Sequence, residues 1–211
     1  MAAHPLLSRC ARARSSSRAQ GAQKIDDKHL NAITRIAREL SARHAPTDAP
    51  WKDSPFAWLR LRSSKQRGTI AEQIVQAWLS GIGLTVEPAE STDYDRLIEG
   101  QRVEIKFSTL WSRGIYVFQQ FRKQEYDLVL CLGASPTAAH GWVLPNSVIL
   151  AQWGRKDGLA LQHKGKAGGD TAWLRVRPGT PHPWLAPLGG TLKEALAVLS
   201  RHTGYVPRPP P

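Results

Sequence analysis

The spacing of apolar residues along the chain changes from a helical period to a strand period near residue 84, which splits the sequence into two regions. Before that point Leu30, Ile33, Ala37 and Leu40 recur at three- and four-residue steps and predict an amphipathic helix over 26–43. Two prolines in Ala45–Asp53 are expected to end it. Ser54 and Pro55 form an N-cap and first-turn pair, so a short helix is expected over Phe56–Leu61. Gly68 or Thr69 then opens a stronger helix through Ile70, Ile74, Ala77 and Trp78, stopped by Gly81 and Gly83.

Beyond it Leu84–Glu87, Tyr94–Ile98 and Arg102–Phe107 alternate as strands do, the last two joined at Glu99-Gly100-Gln101. Ile115–Phe121 fits strand and helix equally well. Asp127–Leu132 is nearly all apolar and reads as a strand buried on both faces. Gly141–Leu144 is a further strand, and a helix follows Pro145-Asn146-Ser147. Residues 155–172 are rich in Gly and Lys and read as a loop, Trp173–Val176 as a short strand, and Leu192–Arg201 as a final helix. The sum is an α/β domain over 25–202 with a mixed central sheet flanked by helices. A basic arm over 1–24 and a Pro-rich tail over 203–211 lack apolar periodicity and are expected to be disordered.

Composition narrows the function. A hydrophobic content of 41% with eight tryptophans suffices for a core, and a formal charge of +12 favours a polyanionic partner without separating DNA from RNA or an anionic membrane. No apolar run reaches transmembrane length. The two cysteines, Cys10 and Cys131, make neither a disulfide framework nor a zinc site, which points to a reducing, cytoplasmic setting.

The chemistry concentrates between Asp95 and Lys106. On a strand, Val103, Ile105 and Phe107 point one way and Glu104, Lys106 and Ser108 the other. A turn at Gly100-Gln101 sets Asp95 opposite Lys106, and a turn at Glu99-Gly100 sets it opposite Glu104. Either register puts Asp95 on the face of Glu104 and Lys106 and leaves Asp93 farther off; a three-residue loop would break the arrangement. Two carboxylates on one face make a site for a hard cation, Mg²⁺ or Mn²⁺ in its place. A neighbouring lysine suits phosphodiester hydrolysis, since it orients or deprotonates water and offsets charge developing on phosphorus. Glu-x-Lys alone is ordinarily a solvated surface pair; its combination with the hairpin, Asp95 and the preceding helix is what carries weight.

That combination resembles the PD-(D/E)XK nuclease superfamily, and more closely its type II restriction endonuclease-like branch. The matching residues are Gly68-Thr-Ile-Ala-Glu72, Asp95, Val-Glu104-Ile-Lys106-Phe-Ser-Thr-Leu-Trp111, Phe118-Gln-Gln-Phe-Arg122 and Tyr126-Asp-Leu-Val-Leu-Cys-Leu-Gly-Ala-Ser-Pro136. Tyr94 stands where the superfamily name has proline. The resemblance covers 54–150 well and 151–190 loosely. It implies a restriction endonuclease-like fold and a Mg²⁺-dependent endonuclease acting on double-stranded DNA. Asp95, Glu104 and the Ile105 carbonyl would be metal ligands, Lys106 the water-positioning or general-base lysine, and Glu72 the auxiliary acid. Symmetric cutting of both strands would require a homodimer.

Further DNA contacts are expected at Lys65 and Arg67 beside a helix N-terminus, at Ser108, Trp111, Gln119 and Gln120, and at Lys164 and Lys166 in the basic loop. Each has a plain structural alternative: a solvated basic linker or loop, a strand-end cap, a core tryptophan or polar surface. Two rival functions remain. One is another nuclease of the same fold, such as a junction resolvase or repair nuclease; the other is a non-catalytic DNA-binding module, which the intact acid, acid and lysine set disfavours. With so little to bury in 1–24, a chain starting near Ile25 is expected to keep its melting temperature. A calorimetric loss of several degrees would show that the arm packs on the domain.

Overall fold

A computed structural model of the chain describes residues 28–163 and 170–206. The chain divides into two units, Met1–His44 and Ala45–Pro211. Helix α1 (Lys28–Asp48) supplies the described part of the first, and its Ile33, Ile36 and Leu40 are exposed. It runs past the break expected at Ala45 and reaches Asp48. Proline fixes φ at a helical value, so the backbone continues through it at the loss of one hydrogen-bond donor.

In the second unit, short 3₁₀ turns at Ala49–Trp51 and Ala57–Leu61 lead to α2 (Ser64–Gly81). The second turn starts at Ala57 with Phe56 in the N-cap position and no side-chain cap, so the expected cap Ser54 stands too early; its Oγ accepts the Phe56 N–H at 3.1 Å. Helix α2 begins four residues before Gly68, the start expected from sequence. The reason is a capping box: Ser63 Oγ accepts the Gln66 N–H at 3.3 Å and Gln66 Oε1 accepts the Ser63 N–H at 3.1 Å. Ser64, Lys65 and Arg67 therefore sit on the first turns of a helix and not on a linker.

The central sheet has the order β1 (Val86–Pro88), β2 (Arg96–Ile98), β3 (Gln101–Thr109), β5 (Leu128–Ala134), β6 (Ala139–Pro145), β9 (Gly189–Thr191). Strands β3 and β5 are parallel and every other pair is antiparallel, so the sheet is mixed as expected. Helices α2, α3 (Asn146–Gln152) and α4 (Leu192–Thr203) flank it. Parallel neighbours need a crossover. Here the crossover carries β4 (Tyr116–Phe121), the segment whose period was ambiguous, and β4 joins a second sheet in the order β4, β8 (Ala172–Val176), β7 (Leu159–Leu161). Strand β7 lies inside the stretch expected to be loop, and β9 was not foreseen; both are three residues long, too short to show a period.

Strand β5 is buried along its whole length because it has a core on each side. Leu128, Leu130 and Leu132 pack with Val103 and Ile105 against Val75 and Leu79 of α2 and Val198 and Leu199 of α4. Val129 and Cys131 pack with Trp142 against Tyr116 and Phe118 of β4 and Leu174 of β8. The second sheet seats directly on backbone at one point. A Cβ added to Gly133 of β5 would lie 2.8 Å from the Tyr116 ring. The start of the parallel pair is clamped by Asp127, whose carboxylate accepts from the Arg102 backbone N–H and from its guanidinium at 2.8–3.1 Å. Those bonds hold the Asp127 carboxyl below the usual carboxylate range.

At the C-terminal end, Gly204 caps α4 in the left-handed conformation and the Tyr205 hydroxyl donates to the Ile82 carbonyl. Thr203, Gly204 and Tyr205, expected to lie in the tail, are therefore engaged by the helix end, its cap and Ile82. The arm at 1–24, Lys164 and Lys166, and 207–211 lie outside the described residues. Among the described residues, no helix is long and apolar enough to cross a membrane. The capping box makes one expectation measurable: Ser63→Ala should lower stability by about 1 kcal/mol and Ser63→Gly by only a few tenths, read from urea midpoints at constant slope.

Candidate functional site

The β2–β3 hairpin turns on two residues, Glu99 at φ 48° and Gly100 at φ 77°. Ile98 faces Gln101, Leu97 faces Arg102 and Arg96 faces Val103. Of the two registers open in the sequence, the one turning at Glu99-Gly100 is therefore formed. Two central residues with positive φ match the strand twist, and Gly100 takes the second without strain. The ladder stops at Arg96, and the Asp95 N–H donates to the Val103 carbonyl at 3.0 Å.

What happens one step further is decided by backbone alternation. The Arg102 carbonyl accepts the Asp127 N–H on the β5 side, so the peptide groups of Val103 and Ile105 face the β2 side. Strand β2 has ended before Ile105, and the Asp95 carboxylate takes over: its Oδ2 accepts the Ile105 N–H at 2.7 Å. The Ile105 carbonyl emerges at the same edge, beyond the β2 ladder. Glu104 and Lys106 lie on the face of Val129 and Cys131, opposite which they pair. Their side chains are about seven-eighths buried and form an ion pair at 2.5 Å.

Burial pushes the Glu104 carboxyl above its ordinary range, and Asp95 adds to the rise while Lys106 opposes it. Glu72 of α2 is raised in the same sense, by burial first and Asp95 second. Arg96 restrains that rise, with its Nη1 3.3 Å from Glu72 Oε2 and 2.6 Å from the Asp95 carbonyl oxygen. The buried Cys131 thiol across from Lys106 is pushed up by desolvation and stays a neutral neighbour. Three carboxylates, Glu72, Asp95 and Glu104, thus gather around two cations, Arg96 and Lys106. Arg96 was not singled out from sequence. The signal was its place after Asp95, since alternation turns it to the α2 side, where Glu72 stands.

Lys106 and Ile105 also line a cleft of about 220 Å³ between the start of α2, the end of β3 and strand β4. Asp95, Glu104 and Glu72 are not part of its lining and connect to it through those two residues. Arg67, Ser108, Trp111, Gln119 and Gln120 meet in this cleft. Consecutive strand residues ordinarily point to opposite faces. Here β4 spends three steps from Phe118 to Phe121 against two on β8, and Gln120 takes φ 58°, so both glutamines reach the same side. Ser108 is buried and committed, its Oγ accepting the Val117 N–H and donating to the Thr109 carbonyl, both at 2.9 Å. It ties β4 to β3. Trp111 is half exposed. Lys65 lies apart, in a shallow groove with Trp58 and Arg62 on another side of α2.

The chain matches no family model and no curated protein. Among solved structures it is similar to a bacterial homing endonuclease, with a TM-score of 0.43 and 17% identity over 67% of this chain and 94% of that one. A likeness that shallow assigns neither chemistry nor substrate.

The convergence of Asp95 on both glutamates has a direct test. Asp95→Asn removes a like charge from each, so the Glu104 and Glu72 titrations should both move down, read from carboxyl carbon shifts by NMR. An unmoved Glu104 would mean that the two carboxylates do not share a site.

Proposed function

We propose that this chain is a divalent-metal-dependent endonuclease of the PD-(D/E)XK type that hydrolyses phosphodiester bonds of double-stranded DNA. The observation that carries the proposal is the junction at Ile105. Asp95 binds its amide, its carbonyl emerges beside that carboxylate, and Glu104 and Lys106 flank it on the strand. Lys106 opens into a cleft lined by Arg67 and two glutamines.

The residues fit a hard cation. Asp95, Glu104 and the Ile105 carbonyl would supply oxygen donors of the kind Mg²⁺ takes. Among the described residues no three His, Cys, Asp or Glu side chains are grouped to hold one ion, so the proposed set takes its third oxygen from the backbone. Burial and mutual repulsion raise Glu104, and a bound cation would relieve that cost. Such an ion would polarise a phosphoryl oxygen and ease ionisation of the attacking water.

The other roles belong to the chain itself. The Lys106 ammonium, at the cleft wall, positions the attacking water and offsets negative charge growing on the phosphoryl oxygens, whereas its neutral amine would take the water's proton. Glu72, raised by burial and held by Arg96, serves as the auxiliary acid on the α2 side of Asp95. Arg67 and the first turn of α2 attract the phosphate backbone through the positive end of the helix. A polyanion is the natural ligand at +12.

Plasmid nicking with and without Mg²⁺ tests the whole reading. Glu104→Gln keeps the shape and removes the charge, and should abolish cleavage at any practical Mg²⁺ concentration. Lys106→Ala should lose roughly 10²–10⁴-fold while still binding the ion. Both should still bind DNA. EDTA-sensitive nicking retained by purified Glu104→Gln would overturn the assignment.

A further inference from the structure

The second sheet has an outer face that neither the core nor the cleft accounts for. Val117 and Arg175 are direct partners between β4 and β8, so they share a face, and Trp173 joins them two residues along β8. Val117 and Gln119 line the cleft, so this face continues the cleft wall outward from Lys106. The Arg175 guanidinium lies 5.6 Å over the Trp173 ring. Arg177, just past β8, reaches back to the turn that carries Trp111 and Arg113: a Cβ on Gly114 would be 4.0 Å from its Nη1.

Charge narrows the partner to a polyanion, and the proposed nuclease reading makes it duplex DNA. Two stretches of sequence build this face, and no acid occurs from Glu104 to Glu125 or from Asp170 to Glu194 apart from those end residues. Among the described arginines only Arg60, Arg96 and Arg102 form ion pairs, so Arg67, Arg113, Arg175 and Arg177 share their lack of one with most other arginines. What sets this face apart is the absence of acids in the stretches that build it. Arginines left without carboxylates along a sheet, and extending from a cleft, complement a regular row of phosphates.

We propose that the outer face of the second sheet, from Gln119 across Arg175 to Arg177, is where duplex DNA lies when a phosphodiester is presented to Lys106. The inference rests on the proposed nuclease reading and names its docking surface. Arg175 and Arg177 contact backbone phosphates, and the sheet sets the direction in which the duplex leaves the cleft. Contacts of this kind fix register and carry no base sequence.

The test is the salt dependence of binding to a 30-base-pair duplex, followed by fluorescence anisotropy of the full chain in EDTA. Removing one arginine that neutralises a phosphate should lower the slope of log affinity against log salt by about one. Arg175→Ala/Arg177→Ala should therefore lower it by about two. Lys193→Ala/Arg201→Ala, which removes two exposed charges from α4, should leave it unchanged. Wild-type protein with no affinity for the duplex would overturn both this surface and the nuclease reading. Wild-type binding with an unaltered slope in the Arg175/Arg177 variant would overturn the surface alone. Equal reductions in the two double variants would do the same, because they would show a diffuse charge effect with no docking face.

Discussion

The two-residue turn at Glu99-Gly100 sets the register of β2 against β3, and the site's polar groups take their places from that register. With Arg96 opposite Val103, the ladder ends one residue before Asp95, and the Ile105 amide needs an acceptor that no strand supplies. The Asp95 carboxylate fills that need. A turn shifted by one residue would move the end of the ladder and part the carboxylate from the amide. The same edge exposes the Ile105 carbonyl, so the geometry of two oxygen donors follows from a hydrogen-bonding requirement of the backbone.

Around that edge the charges are arranged on both faces of the sheet. Glu104 and Lys106 approach from the side of the second sheet, and Glu72 and Arg96 from the side of α2. Asp95 stands between them and raises the pKa of both glutamates. Each cation restrains one glutamate, and the three acids still outnumber the two bases. On the proposed reading, this excess of partly buried negative charge is what a divalent ion would offset.

Much of this was readable in the chain because period-two alternation is local. Glu104, Lys106 and Ser108 had to share a face, and Asp95 had to join them in either two-residue register. What escaped has physical reasons as well. The start of α2 escapes the sequence pattern because Gly68 resembles an opening residue, while the capping pair Ser63 and Gln66 lies five and two residues before it. Lys65 and Arg67, two residues apart on a helix, diverge to different surfaces, although as a linker they looked alike. Ser108 sits on the expected face, but a tertiary contact with β4 engages its hydroxyl. Arg96 and the acid-free stretches needed the third dimension: nothing in their spacing says that α2 lies above β2 or that β4 and β8 are neighbours.

On the proposed reading, the contact between Tyr116 and Gly133 bears on how a duplex would be accommodated. The aromatic ring rests on bare backbone, and a methyl group there would already intrude at 2.8 Å. Sliding one sheet over the other would drive the ring into the neighbouring side chains of β5, and Ser108 bonds the same two layers on the cleft side. Both contacts resist a shift of β4 against the central sheet. On the proposed reading, fit to the phosphate path then comes from the nucleic acid. Steps that kink or unstack at low cost would settle into the cleft more readily than stiff ones, and the fold would discriminate by flexibility at base pairs that it never touches.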